Sequence, residues 1–191
     1  MLFLLIFLAI VLAVILWLLF WSLVSFITGQ RSYQKQFTDG QIPKQKPEGF
    51  YCGTAHLIPF KKVPWLGKSF TSEENSGFNI FTPSGAKLLK LLTPLYKLFS
   101  VNGDNNTNAY NFKTFIGKGL KDKDLQVIKL DYNAPENPFL IRIILDEIVE
   151  IAPKQFLGKV HLKVFPTFYA TIGYFGLTRK WEKKFDNNCF D

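Results

Sequence analysis

The sequence has few cysteines and histidines, the residues that mark disulfide-rich and metal-binding proteins. It contains only two cysteines and two histidines in 191 residues, and neither a Cys-x-x-Cys nor a His-x-x-x-His pair occurs. This excludes a disulfide scaffold and leaves no recognisable metal-ligand spacing. The glycine-containing run at residues 117–122 lacks the spacing of a phosphate-binding loop. We therefore expect no metal and no cofactor, and the catalytic residues of any enzymatic activity stay unknown.

Charge is missing from the first 27 residues, where Ser22 and Ser25 are the only polar side chains. A helix over Leu2 to Ile27 would be about 39 Å long, more than the roughly 30 Å hydrocarbon core of a bilayer. Residues 1–27 are therefore predicted to be a single-pass transmembrane anchor that contacts the lipid bilayer. A cleaved signal peptide is the alternative, but no Lys or Arg precedes the apolar run and no small-x-small site follows it.

Basic residues follow the apolar run but do not precede it. Arg31, Lys35, Lys44 and Lys46 lie in a polar segment, residues 28–47, which the composition predicts to be a linker. Their position favours a cytoplasmic location for the rest of the chain. Cys52 and Cys189 are compatible with a reducing compartment, although they could also pair.

The net charge of +8 comes from dispersed lysines. Because these lysines do not cluster with aromatic residues on a recognisable module, we expect no nucleic-acid partner. An anionic membrane surface accounts for the same charge.

Residues 48–180 are predicted to form a β-rich domain, followed by a polar C-terminal tail at 181–191. Short segments rich in Phe, Tyr, Ile, Val and Thr are separated by turn residues, which is typical of antiparallel strands. The predicted strands are residues 50–58, 63–70, 110–116, 125–132, 141–151, 156–165 and 168–177. The fold class is mainly β: a lipocalin-like antiparallel barrel or strongly curved sheet with one inserted helix, after a single N-terminal transmembrane helix.

Two segments carry helical signals within this domain. Leucines recur every three or four residues between Ser84 and Phe99, which predicts the inserted helix, with Pro94 ending or bending it. The segment from Pro138 to Ile151 has a helix start signal and one apolar helical face, but its β-branched residues favour a strand. Both alternatives stay open, and strand is the favoured one.

An ordered set of motifs resembles a known family. It comprises Gly49-Phe50-Tyr51-Cys52-Gly53, Pro64 to Phe70, Asp131-Tyr132, Arg142, Asp146-Glu147, Leu157-Gly158-Lys159 and Tyr174 to Leu177. Together these resemble the GXWXG-type proteins over about residues 49–179, with Tyr51 in place of the central Trp. The resemblance implies a compact, β-rich, lipocalin-like barrel of unknown activity, and it implies no catalytic residues.

Candidate ligand-binding residues come first from the glycine-rich motifs. Tyr51 alternates with two glycines, which suits either a pocket wall or a tightly packed barrel corner. Trp65 is a large apolar side chain with one N–H to satisfy, and Lys68 could neutralise an anionic ligand or simply be solvated.

Arg142 and His161 complete the candidate set. Arg142 is a natural partner for Asp146 or Glu147, because a guanidinium forms two-pronged bonds with a carboxylate. His161 alternates with apolar neighbours, so a structural role competes with a ligand role. His56 has the same pattern, and it lies too far along the strand from Cys52 to activate that thiol.

Three functions remain open at this stage. The leading hypothesis is a membrane-anchored β domain that binds a small apolar or amphipathic, lipid-like molecule. The second is a non-enzymatic interaction or assembly protein that contacts a membrane-protein partner. The third is an enzyme acting on a membrane-soluble substrate. The sequence favours a non-enzymatic function.

Overall fold

A computed structural model describes residues 11–14, 16–17, 29–56, 64–97, 99–100 and 105–179. Residues 11–14 and 16–17 are helical, and the further helices are α1 (residues 29–38), α2 (Pro83–Leu92) and α3 (Phe139–Arg142). Its strands are β1 (Gly49–His56), β2 (Trp65–Thr71), β3 (Ser76–Phe81), β4 (Phe99–Ser100), β5 (Thr107–Lys118), β6 (Gln126–Asp131), β7 (Ile144–Ala152), β8 (Gln155–Phe165) and β9 (Phe168–Thr178).

The strands form one closed antiparallel barrel. Its eight strands follow the order β1-β2-β3-β5-β6-β7-β8-β9, and β9 pairs with β1 to close it. Strand β4 adds a short pairing to β5. Apart from β4, each strand lies beside the next one along the chain. The barrel therefore has up-and-down connectivity and no long unpaired edge. The predicted mainly β, antiparallel barrel is confirmed.

The barrel has two ends with different connections. At the helical end, the loops between strands hold α2 and α3, and the β8–β9 turn lies there as well. At the pocket end, short connections at residues 72–75, 119–125 and 153–154 join β2 to β3, β5 to β6 and β7 to β8.

Helix α1 and the residues after it pack against the outside of the barrel. The Gln30 side chain donates to the His56 carbonyl at the helical end over 3.1 Å, and Phe37 is fully buried against the sheet. Gln41 pairs with Glu150 as an isolated β-bridge near the pocket end. The segment predicted to be a polar linker therefore lies along the barrel wall, because Tyr33 and Phe37, four residues apart, present one apolar stripe.

The inserted helix is confirmed, with shorter bounds than predicted. Helix α2 starts where the Thr82 hydroxyl accepts from the Gly85 N–H, and Pro83 occupies the first turn. It ends before Pro94, which cannot continue a helix. The segment from Pro138 to Ile151 is divided: α3 is one short turn, and the favoured strand follows as β7. Strand β3 was not predicted.

Two apolar clusters lie on opposite faces of the barrel wall. The interior cluster contains Tyr51, Phe70, Phe112, Ile148 and Phe175 among others. The outer cluster, under α1, contains Phe37, Val127, Val149, Leu157 and Tyr174. Strands β6 to β9 are therefore apolar on both faces where α1 covers them.

No helix in the described part of the chain is both long enough and apolar enough to cross a membrane. Most of the predicted anchor at residues 1–27 lies outside the described residues, as do Leu57, Ile58 and Val63 of two predicted strands and the whole tail at 181–191. Cys189 belongs to that tail, and Cys52, in β1, is disulfide-bonded.

Candidate ligand-binding site

A pocket of about 640 Å³ lies at the pocket end of the barrel. It is bounded by the chain that follows α1, by the β7–β8 turn and by the end of β9, through residues such as Ile42, Lys44, Ala152 and Arg179. Three separate segments therefore converge on one concave surface. Its volume falls in the usual range for small-molecule sites.

The bottom of the pocket is aromatic. Tyr51 and Phe156 line it, and their rings meet edge to face with centroids 5.3 Å apart. Both rings also belong to the interior cluster. The pocket is therefore open on its outer side and closed by the core beneath.

Two glycines let Tyr51 take this position. Gly53 leaves room for the Trp65 ring, with which a Cβ at this position would collide. Gly67, at φ 142°, lies against the Tyr51 carbonyl, where a Cβ would also collide. Within the Gly-x-Tyr-x-Gly motif, Gly53 is thus tightly packed against Trp65, while Tyr51 lines the pocket.

The rim of the pocket carries charges of both signs. Its basic side chains are Lys44, Lys46, Lys154 and Arg179, and its acids are Asp39, Glu48 and Glu150.

Several rim groups have protein partners. The Glu48 carboxylate accepts the Ser72 N–H over 2.5 Å, and hydrogen bonds from the Ser72 side chain and then from its N–H lower the pKa of Glu48. A Glu150 oxygen accepts the Lys154 N–H over 2.9 Å. The guanidinium of Arg179, one of the rim side chains, lies 5.9 Å from the centre of the Tyr51 ring. Two of the three acids thus already accept backbone donors, and a cation lies over the aromatic bottom.

A second polar group is sealed inside the barrel around Lys68. The Lys68 ammonium forms an ion pair with Asp146 over 3.0 Å, with both side chains 4% exposed. It also donates to Asn79 over 2.9 Å and to the Tyr132 hydroxyl. Four aromatic rings surround the ammonium at 5.0 to 5.4 Å, those of Trp65, Phe112, Tyr132 and Phe175. The cation is thereby held by charge, hydrogen bonds and ring faces together.

Burial and charge shift the pKa values of two side chains in this interior group, those of Lys68 and Tyr132. Burial lowers the pKa of Lys68, and the Asp146 carboxylate opposes that shift. Burial and then the Asp146 charge raise the pKa of Tyr132 well above its ordinary value. Tyr132 is thus a neutral hydroxyl at physiological pH and donates to Asp146 over 3.0 Å. One Asp146 oxygen, Oδ1, is buried without a hydrogen-bond partner in the described part of the chain.

A third polar group is buried on the outer face around Glu147. Its carboxylate bonds to His161 Nε2 over 3.0 Å, accepts the Leu120 N–H over 2.7 Å and lies 3.7 Å from the Lys129 ammonium. Beside it, Lys159 pairs with Asp122, and Asp122 also accepts from Gln34 of α1 over 2.8 Å. These groups join the β5–β6 loop and α1 to the sheet.

The structure distributes the five predicted residues over four places. Tyr51 lines the pocket. Trp65 and Lys68 belong to the interior group, where Trp65 donates to Asn79 over 3.1 Å. His161 belongs to the outer group, and Arg142 is exposed at the helical end.

Two expectations about charge partners are wrong. Lys68 is neither solvated nor placed on a surface, because the strand period directs it into the barrel, where it is 3% exposed. Arg142 donates to Asn133 over 3.1 Å, while Asp146 and Glu147 take other cations. The α3 turn, rather than a continuous strand, directs the Arg142 side chain outwards.

Sequence reasoning missed most of the pocket. Ile42, Phe156 and Arg179 are not among the predicted site residues. Neither is Asn79 of the interior group, nor Tyr132, which the sequence offers only as part of a family motif. The alternation within β8 gives the inward direction of Phe156, but no local signal places it opposite Tyr51. Only barrel closure brings β1, β8 and the segment after α1 together.

Comparisons of the chain with known protein families, with curated proteins and with solved structures found no match. The geometry of the described residues is therefore the basis of the functional argument.

Proposed function

We propose that the protein is a membrane-anchored β-barrel that binds a small amphipathic, lipid-like molecule with an anionic head group. The pocket end is the proposed site, and residues 1–27 are the proposed anchor. The resemblance to GXWXG-type, lipocalin-like proteins is part of this proposal.

The observation that carries the proposal is the layered chemistry of the 640 Å³ pocket. Its bottom and one side are apolar, through Tyr51, Phe156 and Ile42. Its rim has four basic side chains, among them Arg179 and Lys44, against three acids. An amphipathic anion matches this order, with its chain on the aromatic bottom and its head group at the cations. Barrels of eight strands have interiors just wide enough for side chains or one small ligand.

The 640 Å³ pocket and a second pocket of 240 Å³ are both lined without Asp146, Glu147 or His161. These are the residues on which an enzymatic hypothesis would rest, and each already has a protein partner. The binding hypothesis therefore accounts for the pocket better than an enzymatic one.

Native mass spectrometry of the full chain released from detergent tests the ligand. We expect one molecule of dodecyl phosphate to bind, and dodecyltrimethylammonium, with the same chain and the opposite charge, to bind far less. Ala152→Phe, which fills the pocket from its wall, should abolish the complex.

The charge of the rim is tested separately. Arg179→Gln should weaken dodecyl phosphate binding roughly tenfold or more, since a charge-assisted hydrogen bond contributes about 1.5–3 kcal/mol. Lys118→Gln, at an exposed position of the same barrel end outside the pocket, is the matched control and should leave binding unchanged. Equal binding of both amphiphiles, or no effect of Ala152→Phe, would contradict the proposed ligand.

The anchor has its own test. The full chain should stay with the membrane pellet through alkaline carbonate extraction, and its N-terminal peptide should be intact by mass spectrometry. Release into the supernatant, or loss of the first 27 residues on maturation, would remove the anchor from the proposal.

A further inference from the structure

The helical end of the barrel exposes large apolar side chains on three separate elements. On α2 and just after it, Leu91 is 78% exposed and Leu95 is 99% exposed, and on α3 Phe139 is 74% exposed. At the β8–β9 turn, Phe165 is 65% exposed. We call the following six residues the apolar rim: Leu91, Leu92, Leu95, Phe139, Leu140 and Phe165.

Packing within the barrel does not explain these side chains. Helix α2 already contributes Leu89 to the interior cluster, so its inward face is used. Its leucines at 88, 91 and 92 are exposed as well, so the helix is apolar on more than one face. A helix with a second apolar face buries that face against something else.

The charge around the apolar rim has mainly one sign. Lys87 and Lys90 lie on α2, Lys97 follows it, and Arg142 lies on α3, all of them exposed. Glu136 is the exposed acid in the described part of this end. The pocket end, in contrast, exposes acids as well as bases, among them Glu73, Glu74 and Asp124.

The start of α1, which follows the N-terminal apolar run in the sequence, lies at this same end. Gln30, near the start of α1, bonds to the His56 carbonyl at the helical end, whereas Gln41 pairs with Glu150 near the pocket end. Helix α1 thus runs away from the helical end, and its first residues lie there.

We propose that the helical end is a second membrane-contact surface, which lies on a bilayer containing anionic lipid. The apolar rim enters the headgroup and upper acyl region, and the lysines of α2 contact anionic head groups. Because α2, α3 and the β8–β9 turn are attached to different strands around the barrel, they suit a flat surface better than one narrow protein groove. This proposal goes beyond the pocket ligand and does not depend on it.

The test uses the full chain reconstituted into nanodiscs that contain a lipid with a photoreactive diazirine in its acyl chain. After illumination, mass spectrometry should find lipid adducts on peptides of α2, α3 and the β8–β9 turn. The yield of these adducts should be several-fold higher in nanodiscs of mixed phosphatidylserine and phosphatidylcholine than in nanodiscs of phosphatidylcholine alone. Adducts confined to residues 1–28, or equal yields at residues 72–75 and 119–125 of the pocket end, would overturn the proposal.

Paired variants separate the apolar and charge contributions. Leu91→Ser with Leu92→Ser should reduce adducts on α2 several-fold, whereas Ile116→Ser, an exposed apolar residue away from this end, should not. Lys87→Glu with Lys90→Glu should remove the phosphatidylserine dependence, and Lys121→Glu with Lys123→Glu, in the β5–β6 loop, should leave it. Unchanged labelling in both helical-end variants would overturn the proposal.

The outcome is separable from that of the proposed function. The pocket variants Ala152→Phe and Arg179→Gln lie at the opposite end, so they should leave the labelling pattern intact. In these two variants, loss of dodecyl phosphate binding with normal lipid labelling would support both the proposed pocket and the proposed membrane contact. In the parent chain, normal dodecyl phosphate binding without labelling at the helical end would overturn the membrane contact alone.

Discussion

Asp146 and Glu147 are consecutive residues of β7, yet they belong to two different buried groups. Asp146 points into the barrel and pairs with Lys68, while Glu147 points to the outer face and bonds to His161. The side chains of a strand alternate between its faces, so adjacent acids are separated by the thickness of the wall. Both acids are buried, because the barrel encloses the inner face of β7 while α1 and the β5–β6 loop cover its outer face.

The two groups differ in how they are sealed. The interior group is enclosed by the barrel and by four aromatic rings around Lys68. The outer group is covered by α1 and the β5–β6 loop, and Lys129, one of the cations near Glu147, keeps 13% exposure. We infer that charge is held more rigidly inside than outside, and removal of an acid should be more costly inside.

The largest expected effect is that of Asp146→Ala. It leaves the Lys68 ammonium buried without its counter-charge, which costs about 3–5 kcal/mol of unfolding free energy. Urea unfolding of the full chain in mild detergent, followed by near-ultraviolet circular dichroism, measures the loss. Asp124→Ala, an exposed acid in the β5–β6 loop, is the matched control and should change stability by less than about 0.5 kcal/mol. A loss below about 1 kcal/mol for Asp146→Ala would contradict the interior ion pair.

A smaller loss is expected for Glu147→Gln. The amide oxygen still accepts the Leu120 N–H, and Lys129 can turn towards solvent, so the loss is about 1.5–3 kcal/mol, the range for hydrogen bonds to charged groups. The same urea experiment compares the two variants directly. If Glu147→Gln costs more than Asp146→Ala, the outer group is the more rigid one and the comparison is reversed.

Acid should weaken the attachment of α1. The Tyr33 hydroxyl lies 3.1 Å from His56 Nδ1 and the two rings stack at 4.3 Å. Burial lowers the pKa of His56 below its ordinary value of 6.5. Because the unfolded state binds the proton more readily, stability is fully present above pH 6.5 and is lost as pH falls through the folded pKa.

Thermal unfolding at pH 7.5 and pH 5 measures this loss. We expect a decrease of a few degrees in the midpoint at pH 5, and a smaller decrease in His56→Gln, which has no ring to titrate. An equal decrease in both proteins would show that His56 does not control the docking of α1.

The smallest expected effect is alkaline and again concerns the outer face. Burial, and then the charge of Asp122, raise the pKa of Tyr174 to about 12. Since the unfolded tyrosine ionises near pH 10, this contribution to stability is full below pH 10 and is lost as pH rises towards 12.

Tyr174→Phe isolates this effect from the other tyrosines. Between pH 9 and pH 11, the variant should lose less of its own stability in urea unfolding than the parent chain does. Identical losses would mean that the hydroxyl, which donates to Gln34 over 2.5 Å, does not stay protonated in the folded state.

Sequence patterns predicted the barrel well where a strand alternates clearly, as in β6 and β8. They missed β3, because its six residues include Ser76, Gly77 and Asn79 and show little alternation. They also left α1 as a linker, because two aromatic residues in ten give a weak apolar stripe. For the candidate site, they identified Tyr51 but not the segments that face it.

The sequence by itself determined the apolar N-terminal run, the strand-rich domain and the small residues beside Tyr51, because each follows from local composition and period. Tertiary structure alone decided which cation meets which acid and where the pocket opens. Lys68 and Asp146 lie on strands far apart in the chain, and no local preference selects their pairing. Closure of the barrel brings them together. Their pairing is required because burying either charge without the other would be costly.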